Sequence, residues 1–313
     1  MRHLIRRILA LLLTLLLVSL LTFAAFNIIP GDPAALVLGT EASPERVAVL
    51  RAQLGLNDPL PIRYLKWMGG LLTGNPGNSI KYSVPAEKLI AERFPVTAAL
   101  AGIAFLLIVS VSIPLGVYSA KKRDTPLDRI LNTVTMINIS IPNFFLGILF
   151  IWVFGILLKF FTPGGYVDFS TSPARFFSYL FYPALAVALP GIATVAKFLR
   201  TSVIGQMSLD YVRTAYSKGN SDNAVLYRHV LKNALAQVIS LFGMILAEIF
   251  SGSIVIEQVF GVPGIGRLLI ASISSRDFPL VETLVVYIAL VVVTANLLAD
   301  VLLQAIDPRI RVA

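Results

Sequence analysis

The residues of this chain that could carry chemistry are few, and their placement narrows what that chemistry could be. There are two histidines, His3 and His229, and no cysteine, so disulfides and thiolate metal sites are excluded and imidazole has little scope. No G-x-x-x-x-G-K-[ST] phosphate loop and no H-E-x-x-H occurs. The glycines of GVPGIG, residues 261–266, lie between two apolar stretches with no strand before them, a poor setting for a dinucleotide. Glu248 and Asp300 are the acidic residues read within apolar stretches. A charge at mid-bilayer costs roughly 2.5–3.5 kcal/mol on insertion scales, so an acid kept there is a candidate functional residue. Asp300 lies about one turn from the end of its stretch, within reach of the interface. Glu248 lies deeper, where a pathway or hydrogen-bonding role stands beside neutralisation by protonation. A second polar patch, Asn138, Ser140 and Asn143 beside Pro142, is a candidate pathway lining whose amides and hydroxyl can donate and accept weak hydrogen bonds.

The elements that must position these groups are set by composition. Of 313 residues, 57% are hydrophobic and 14% charged, and mean hydropathy is +0.81. Soluble domains have about 45–50% apolar and about 25% charged residues, so lipid is the expected solvent. A hydrocarbon core about 30 Å thick needs roughly 20 apolar helical residues. Six stretches qualify, at about 8–29, 97–118, 132–158, 177–196, 234–256 and 281–303. The net charge of +9 is asymmetric along them. With both termini inside, one face collects Arg2, Arg6, Arg7, Lys121, Lys122, Arg123, Arg129, Lys197, Arg200, Arg213, Lys218, Arg228, Lys232, Arg309 and Arg311. The short outer loops carry Lys159, Arg175, Arg267 and Arg276, and the long 30–96 loop is exempt from the count, which predicts N-in, C-in. The first stretch, after MRHLIRR, is longer than a signal-peptide core and lacks a small-x-small site, so it is expected to stay as a span.

Residues 30–96 are too many for a plain connection and should have structure of their own. PGDP reads as a turn and SPERVAVLRAQLGL as a short helix, with Ser43 as N-cap, Pro44 first and Gly55 at the exit. TGNPGNS is a further turn, and VPAEKLIAERFP reads as a second short helix ending at Pro95. The organisation expected is therefore 1–29, the N-terminus and first span; 30–96, an extracytoplasmic segment; and 97–313, the remaining spans, with a cytoplasmic loop at about 200–233. Pro114, Pro142, Pro183 and Pro190 lie inside spans, where a missing N–H kinks a helix.

That loop holds DYVRTAYSKGNSDNAVLYRHVLKNAL, residues 210–235, a polar interruption on the basic side. Asp210 can cap a helix from Tyr211 to Lys218, roughly 12 Å long at 1.5 Å per residue. Gly219 follows as a left-handed C-cap and Ser221 as the next N-cap. Tyr211 with Ala215, and Val212 with Tyr216, form a small apolar face. So short a helix is unstable alone in water. It needs something to lean on, and a soluble partner stands against a merely solvated loop.

The spacing Arg213-Thr214-Ala215, three residues, Gly219, nine residues, His229-x-Leu231-Lys232 resembles the E-A-A-x3-G-x9-I-x-L-P signature of ABC importer membrane subunits. Its flanks resemble the dipeptide, oligopeptide and nickel permease family, B-type subunit, as do FNIIPGDPA, SIPNF, PALAVALP, SGSIVIEQVFGVPGIG, RDFPLV, NLLAD and DPRIR. The resemblance implies an all-α membrane protein with six transmembrane helices in the type I importer permease fold. It implies a coupling helix docked on an ATPase subunit, with Asp210, Tyr211, Val212, Arg213, Thr214, Ala215 and Gly219 as the docking residues. It further implies a homologous second permease, two ABC ATPases that hold the ATP and magnesium, an extracytoplasmic solute-binding protein, and a plasma-membrane location in a bacterium or archaeon. No cofactor, metal or catalytic residue is expected on this chain. Arg213 stands where the signature has Glu, and Lys232 where it has Pro. Peptides are the expected cargo, with nickel chelates, glutathione or glycans as alternatives. A secondary transporter would need mid-membrane ion-coupling groups and an internal repeat, and an intramembrane enzyme a catalytic pair; neither is visible.

Overall fold

A computed structural model describes residues 2–28, 34–35, 43–53 and 55–306; the PGDP turn, DPRIR and the side chain of Asp300 lie outside what is described. Most of the described residues are helical, with no strand among them and one isolated bridge between Asn78 and Pro85. In chain order the helices are α1 (Arg2–Ile28), α2 (Pro44–Gln53), α3 (Leu60–Thr73), α4 (Ala86–Lys121), α5 (Pro126–Ser140) and α6 (Asn143–Phe150). They continue with α7 (Pro173–Met207), α8 (Asp210–Ser217), α9 (Asp222–Ala224), α10 (Leu231–Phe260), α11 (Ile265–Ser274) and α12 (Phe278–Ile306). Wider π turns extend α6 over Ile151–Leu157 and join α9 to α10 over Val225–Val230.

Among the described residues five helices are long and apolar enough to cross a membrane: Arg6–Ile28, Ala86–Lys121, Pro173–Met207, Leu241–Phe260 and Phe278–Leu298. The sixth expected span is not one straight helix. α5 and α6 with its extension meet at a bend of 102°, and count as a span only if taken together. Pro142 is the cause. It has no N–H to donate back into α5, and its ring pushes the residue before it out of helical space. Ile141 is accordingly extended at φ −90°, ψ 125°, and Pro142 follows at φ −62°, ψ 141°.

Pro95, expected to end a short helix, does not. α4 runs unbroken from Ala86 to Lys121 through both Pro95 and Pro114. The override comes from packing. Ala86, Leu89 and Ile90, spaced to share a helix face, are buried with Ile265, Leu268 and Leu269 of α11 and Leu280, Val281 and Leu284 of α12. Burying side chains of this size is worth about 1.5–3 kcal/mol each, enough together to offset about 3 kcal/mol for an interior proline.

The chain divides into two compact units, Met1–Ala98 with Pro263–Thr294, and Ala99–Val262 with Ala295–Ala313. In the first, α3 lies on α1. Tyr64 and Trp67 pack on Phe23 at centroid distances of 5.4 and 6.1 Å, and the Tyr64 and Ser19 hydroxyls are 2.9 Å apart. Asp277, between α11 and α12 and 1% exposed, accepts hydrogen bonds from the Ser79 hydroxyl and from the N–H groups of Ile80 (3.1 Å) and Lys81 (3.2 Å). In the second unit, α7 is the central helix. Gly116 of α4 approaches it so closely that a Cβ there would stand 2.8 Å from the Ala196 carbonyl oxygen. Tyr179 donates to the Phe260 carbonyl at 2.6 Å, tying α7 to the end of α10.

Candidate functional site

The polar interruption folds as two short helices joined at Gly219, as expected, with a different N-cap on the first. Leu209, extended at φ −84°, ψ 152°, is the residue before α8, so Asp210 is the first helical residue and not the cap. Its carboxylate still meets the positive end of the helix dipole. Arg213 lies 3.6 Å from it, but the two side chains are 82% and 96% exposed, so the pair contributes little to stability. Gly219 sits at φ +79°, where a left-handed conformation lets its N–H reach the Tyr216 carbonyl at 2.9 Å. Asn220 donates to the Ala215 carbonyl at 2.9 Å, and the Ser221 hydroxyl accepts from the Ala224 N–H.

What α8 leans on is the chain itself. Val212 and Ala215, 1% and 7% exposed, pack against the π turn, where Val225, Leu226 and Val230 are also buried. Tyr211 is half-buried, and its hydroxyl donates to Gln206 Oε1 at 2.9 Å. The outward face is therefore Asp210, Arg213, Thr214, Tyr216 and Ser217, with Gly219 at its end. Tyr216 is 39% exposed, and desolvation of the covered part of its ring, with the Asp222 carboxylate beside it, holds its phenol pKa above the ordinary value. Lys121, the last residue of α4, donates to Asn223 Oδ1 at 2.9 Å and anchors the second short helix.

The second group of expected residues clusters at the break between α5 and α6. Asn138 is half-buried and its Oδ1 accepts no hydrogen bond. Ser140 is exposed and its hydroxyl turns back to the Met136 carbonyl at 3.0 Å. Asn143 begins α6 and lies against α10 at Gly252, where a Cβ would stand 2.8 Å from its Nδ2. Glu248 is four residues before Gly252, on the same face of α10. It is exposed on the surface of the chain rather than sunk in its interior. The break thus brings Asn138, Ser140 and Asn143 together, and the missing side chain of Gly252 sets Asn143 about one turn from the level of Glu248.

The acids held inside the chain are others: Asp128 at 3% exposed, Glu257 at 0%, Asp277 at 1% and Glu282 at 7%. Sequence reading passed over all four. Asp128 accepts Arg200 Nε at 2.8 Å on Oδ1 and Arg200 Nη2 at 2.6 Å on Oδ2, a two-point fork across 72 residues. The Thr125-Pro126-x-Asp128 spacing is a readable helix start, and Thr125 Oγ1 indeed accepts from the Asp128 N–H at 3.3 Å. The pairing with Arg200 had no local signal. Two of the GVPGIG glycines prove to be helix punctuation, with Gly261 closing α10 at φ +71° and Gly264 preceding α11, while Gly266 is buried inside α11. Among the described residues no group of three or more histidine, cysteine or acidic side chains could hold a metal ion.

An all-helical membrane chain with a short capped helix and a broken span has relatives among known proteins. Residues 112–312 match the family model described as binding-protein-dependent transport system inner membrane component, and residues 1–101 match the N-terminal model of the same kind of component. The chain belongs to this family. Similar relatives include a putative peptide transport system permease protein of Brucella abortus (strain 2308), 39% identical over 297 residues and 95% of each chain. The oligopeptide transport system permease protein AppB of Bacillus subtilis (strain 168) is 36% identical over 311 residues and 98% of each chain. The glutathione transport system permease protein GsiC of Salmonella paratyphi A is 34% identical over 311 residues and 99% of each. The chain is thus a multi-pass membrane permease of an ABC transporter, and its role is transport. In this permease both α8 and the broken α5–α6 pair lie within the matched region.

Proposed function

We propose that this permease forms half of a translocation pathway for di- and oligopeptides. The observation that carries this reading is its full-length similarity to proteins named as peptide and oligopeptide permeases. Cargo of this kind is rich in amide N–H and C=O groups. Asn138, Ser140, Asn143 and Glu248 offer matching donors and acceptors at the break, few enough to hold a peptide weakly and release it. Glutathione is the second reading, favoured by the GsiC relative, and as a small peptide it needs the same groups.

In this reading energy comes from elsewhere. The chain carries no phosphate loop, and two ABC ATPase subunits supply ATP hydrolysis. They are engaged by the outward face of α8, chiefly Asp210, Arg213, Thr214 and Tyr216, while Val212 and Ala215 hold the rod to the permease and Tyr211 steadies it. Gly219 sets the angle at which the rod is presented. A homologous second permease completes the pathway, and a solute-binding protein delivers cargo to residues 30–96 and 258–279. Both termini and the loop at about 200–233 face the cytoplasm, the core is 97–313, and the membrane is the plasma membrane of a bacterium or archaeon. Purification of the tagged chain from its native membrane in mild detergent tests this directly. Recovery of a second permease and P-loop ATPases, with peptide uptake that stops on ATP depletion, is expected. A chain that purifies alone sinks the reading.

A further inference from the structure

A polar cluster in the second unit lies neither on α8 nor at the break but on the helices that lead to each. Asp128 receives five hydrogen bonds: two from Arg200, one from Ser119 Oγ at 2.7 Å, one from Asn132 Nδ2 at 3.2 Å and one from the Asp124 N–H at 3.2 Å. Its side chain is 4% exposed and that of Arg200 20%. Three elements meet there: Ser119 near the end of α4, Asp128 in the first turn of α5, and Arg200 on α7. We propose that the Asp128–Arg200 pair is the joint that passes displacement of α8 to the broken α5–α6 span. This rests on the reading of α8 as the ATPase contact.

The geometry points to that role in four ways. First, α7 continues unbroken from Arg200 to Met207, and α8 begins at Asp210, so the last two turns of α7 are the lever on which α8 is mounted. Second, α5 runs from Asp128 to the break, so movement of its first turn is carried to Asn138 and Ser140 at its other end. Third, one turn before Arg200 the Ala196 carbonyl meets Gly116 with no room for a side chain. Contact there holds the helices together at that level, so motion at the loop end of α7 becomes rotation about it. Fourth, the guanidinium fork fixes orientation as well as distance, which a single-point ammonium cannot do. The pair is not packed solid. A small cleft beside it, lined in part by Leu115, Leu131, Thr135 and Lys197, has room for about one water molecule.

A joint and a mere staple differ in what their loss does. Removing a staple lowers assembly and every activity together. Removing a joint leaves ATP hydrolysis running without cargo movement. The test uses the complete importer in proteoliposomes, with its second permease, ATPases and binding protein, and a labelled tripeptide as cargo. Arg200→Lys keeps the charge but loses the fork, and Asp128→Asn keeps the shape but loses the charge. Both variants are expected to assemble and hydrolyse ATP at close to the wild-type rate, while peptide moved per ATP falls about fivefold or more. An unchanged ratio overturns the proposal, and so does loss of assembly in both variants, which would make the pair a staple. The underlying reading fails separately: a wild-type importer that moves no peptide on addition of ATP counts against the cargo, whatever the variants do.

Discussion

At the scale of single residues, two positions carry distinct expectations. Gly219 stands in open space, with nothing within 4 Å of where a Cβ would be, so its requirement is conformational and not steric. A β-carbon at its φ of +79° costs about 1–2 kcal/mol, which the chain can avoid by unwinding the end of α8. Gly219→Val is therefore expected to leave the permease in the membrane and abolish cargo-stimulated ATP hydrolysis in the reconstituted importer. Full stimulation in that variant would remove α8 from the coupling role. Glu248 is exposed on α10 near the break, where a partner half can cover it. Glu248→Gln is expected to change uptake without changing subunit recovery. If uptake of a neutral peptide follows the wild-type pH profile throughout, Glu248 is a packing residue and takes no part in the pathway.

At the scale of elements, close approach and polar pinning decide what can move. Gly116→Val would drive a side chain into the Ala196 carbonyl at 2.8 Å and force α4 and α7 apart. Overpacking of this kind costs about 1–3 kcal/mol, read as a lower thermal midpoint in detergent. Asp277 pins the turn at 78–83 through two backbone N–H groups and the Ser79 hydroxyl. Asp277→Ala leaves those donors without their acceptor, at about 1–3 kcal/mol for each that stays buried. The expected outcome is selective proteolysis near Lys81 with the spans intact; resistance equal to wild type would show that the turn is held by other contacts. α8 itself teaches how an eight-residue helix survives. Its two buried residues are covered by the π turn that follows, so it is preformed on the permease, and in the proposed coupling role docking would cost it less ordering entropy.

At the scale of the whole molecule, an all-α chain of apolar spans interrupted by a polar loop was legible from hydropathy, because lipid demands runs of about 20 apolar residues wherever a helix crosses. The two-helix loop was equally legible, because Gly219 and Ser221 act on their immediate neighbours. Helix propensity and capping are local, and local chemistry can be read along a line. The joining of Asp128 to Arg200, of Asp277 to residues 79–81 and of Asn143 to Gly252 could not be read that way. Each links residues far apart in the chain, and either partner alone has an ordinary alternative role: a helix cap, an inside arginine, a glycine in a span. Pro142 and Pro95 make the same point from opposite sides. Both remove one backbone hydrogen bond, yet Pro142 breaks its span by 102° while Pro95 sits inside a continuous helix. What separates them is tertiary. Around Pro95 the buried Ala86, Leu89 and Ile90 hold the helix in line, whereas the break at Pro142 leaves Ser140 exposed and sets Asn143 against Gly252. Sequence alone determined the kind of element and where the polar residues fall along it; only packing decided which helix bends, which acids are buried and which partners they keep, because burial is a property of neighbours brought together by the fold.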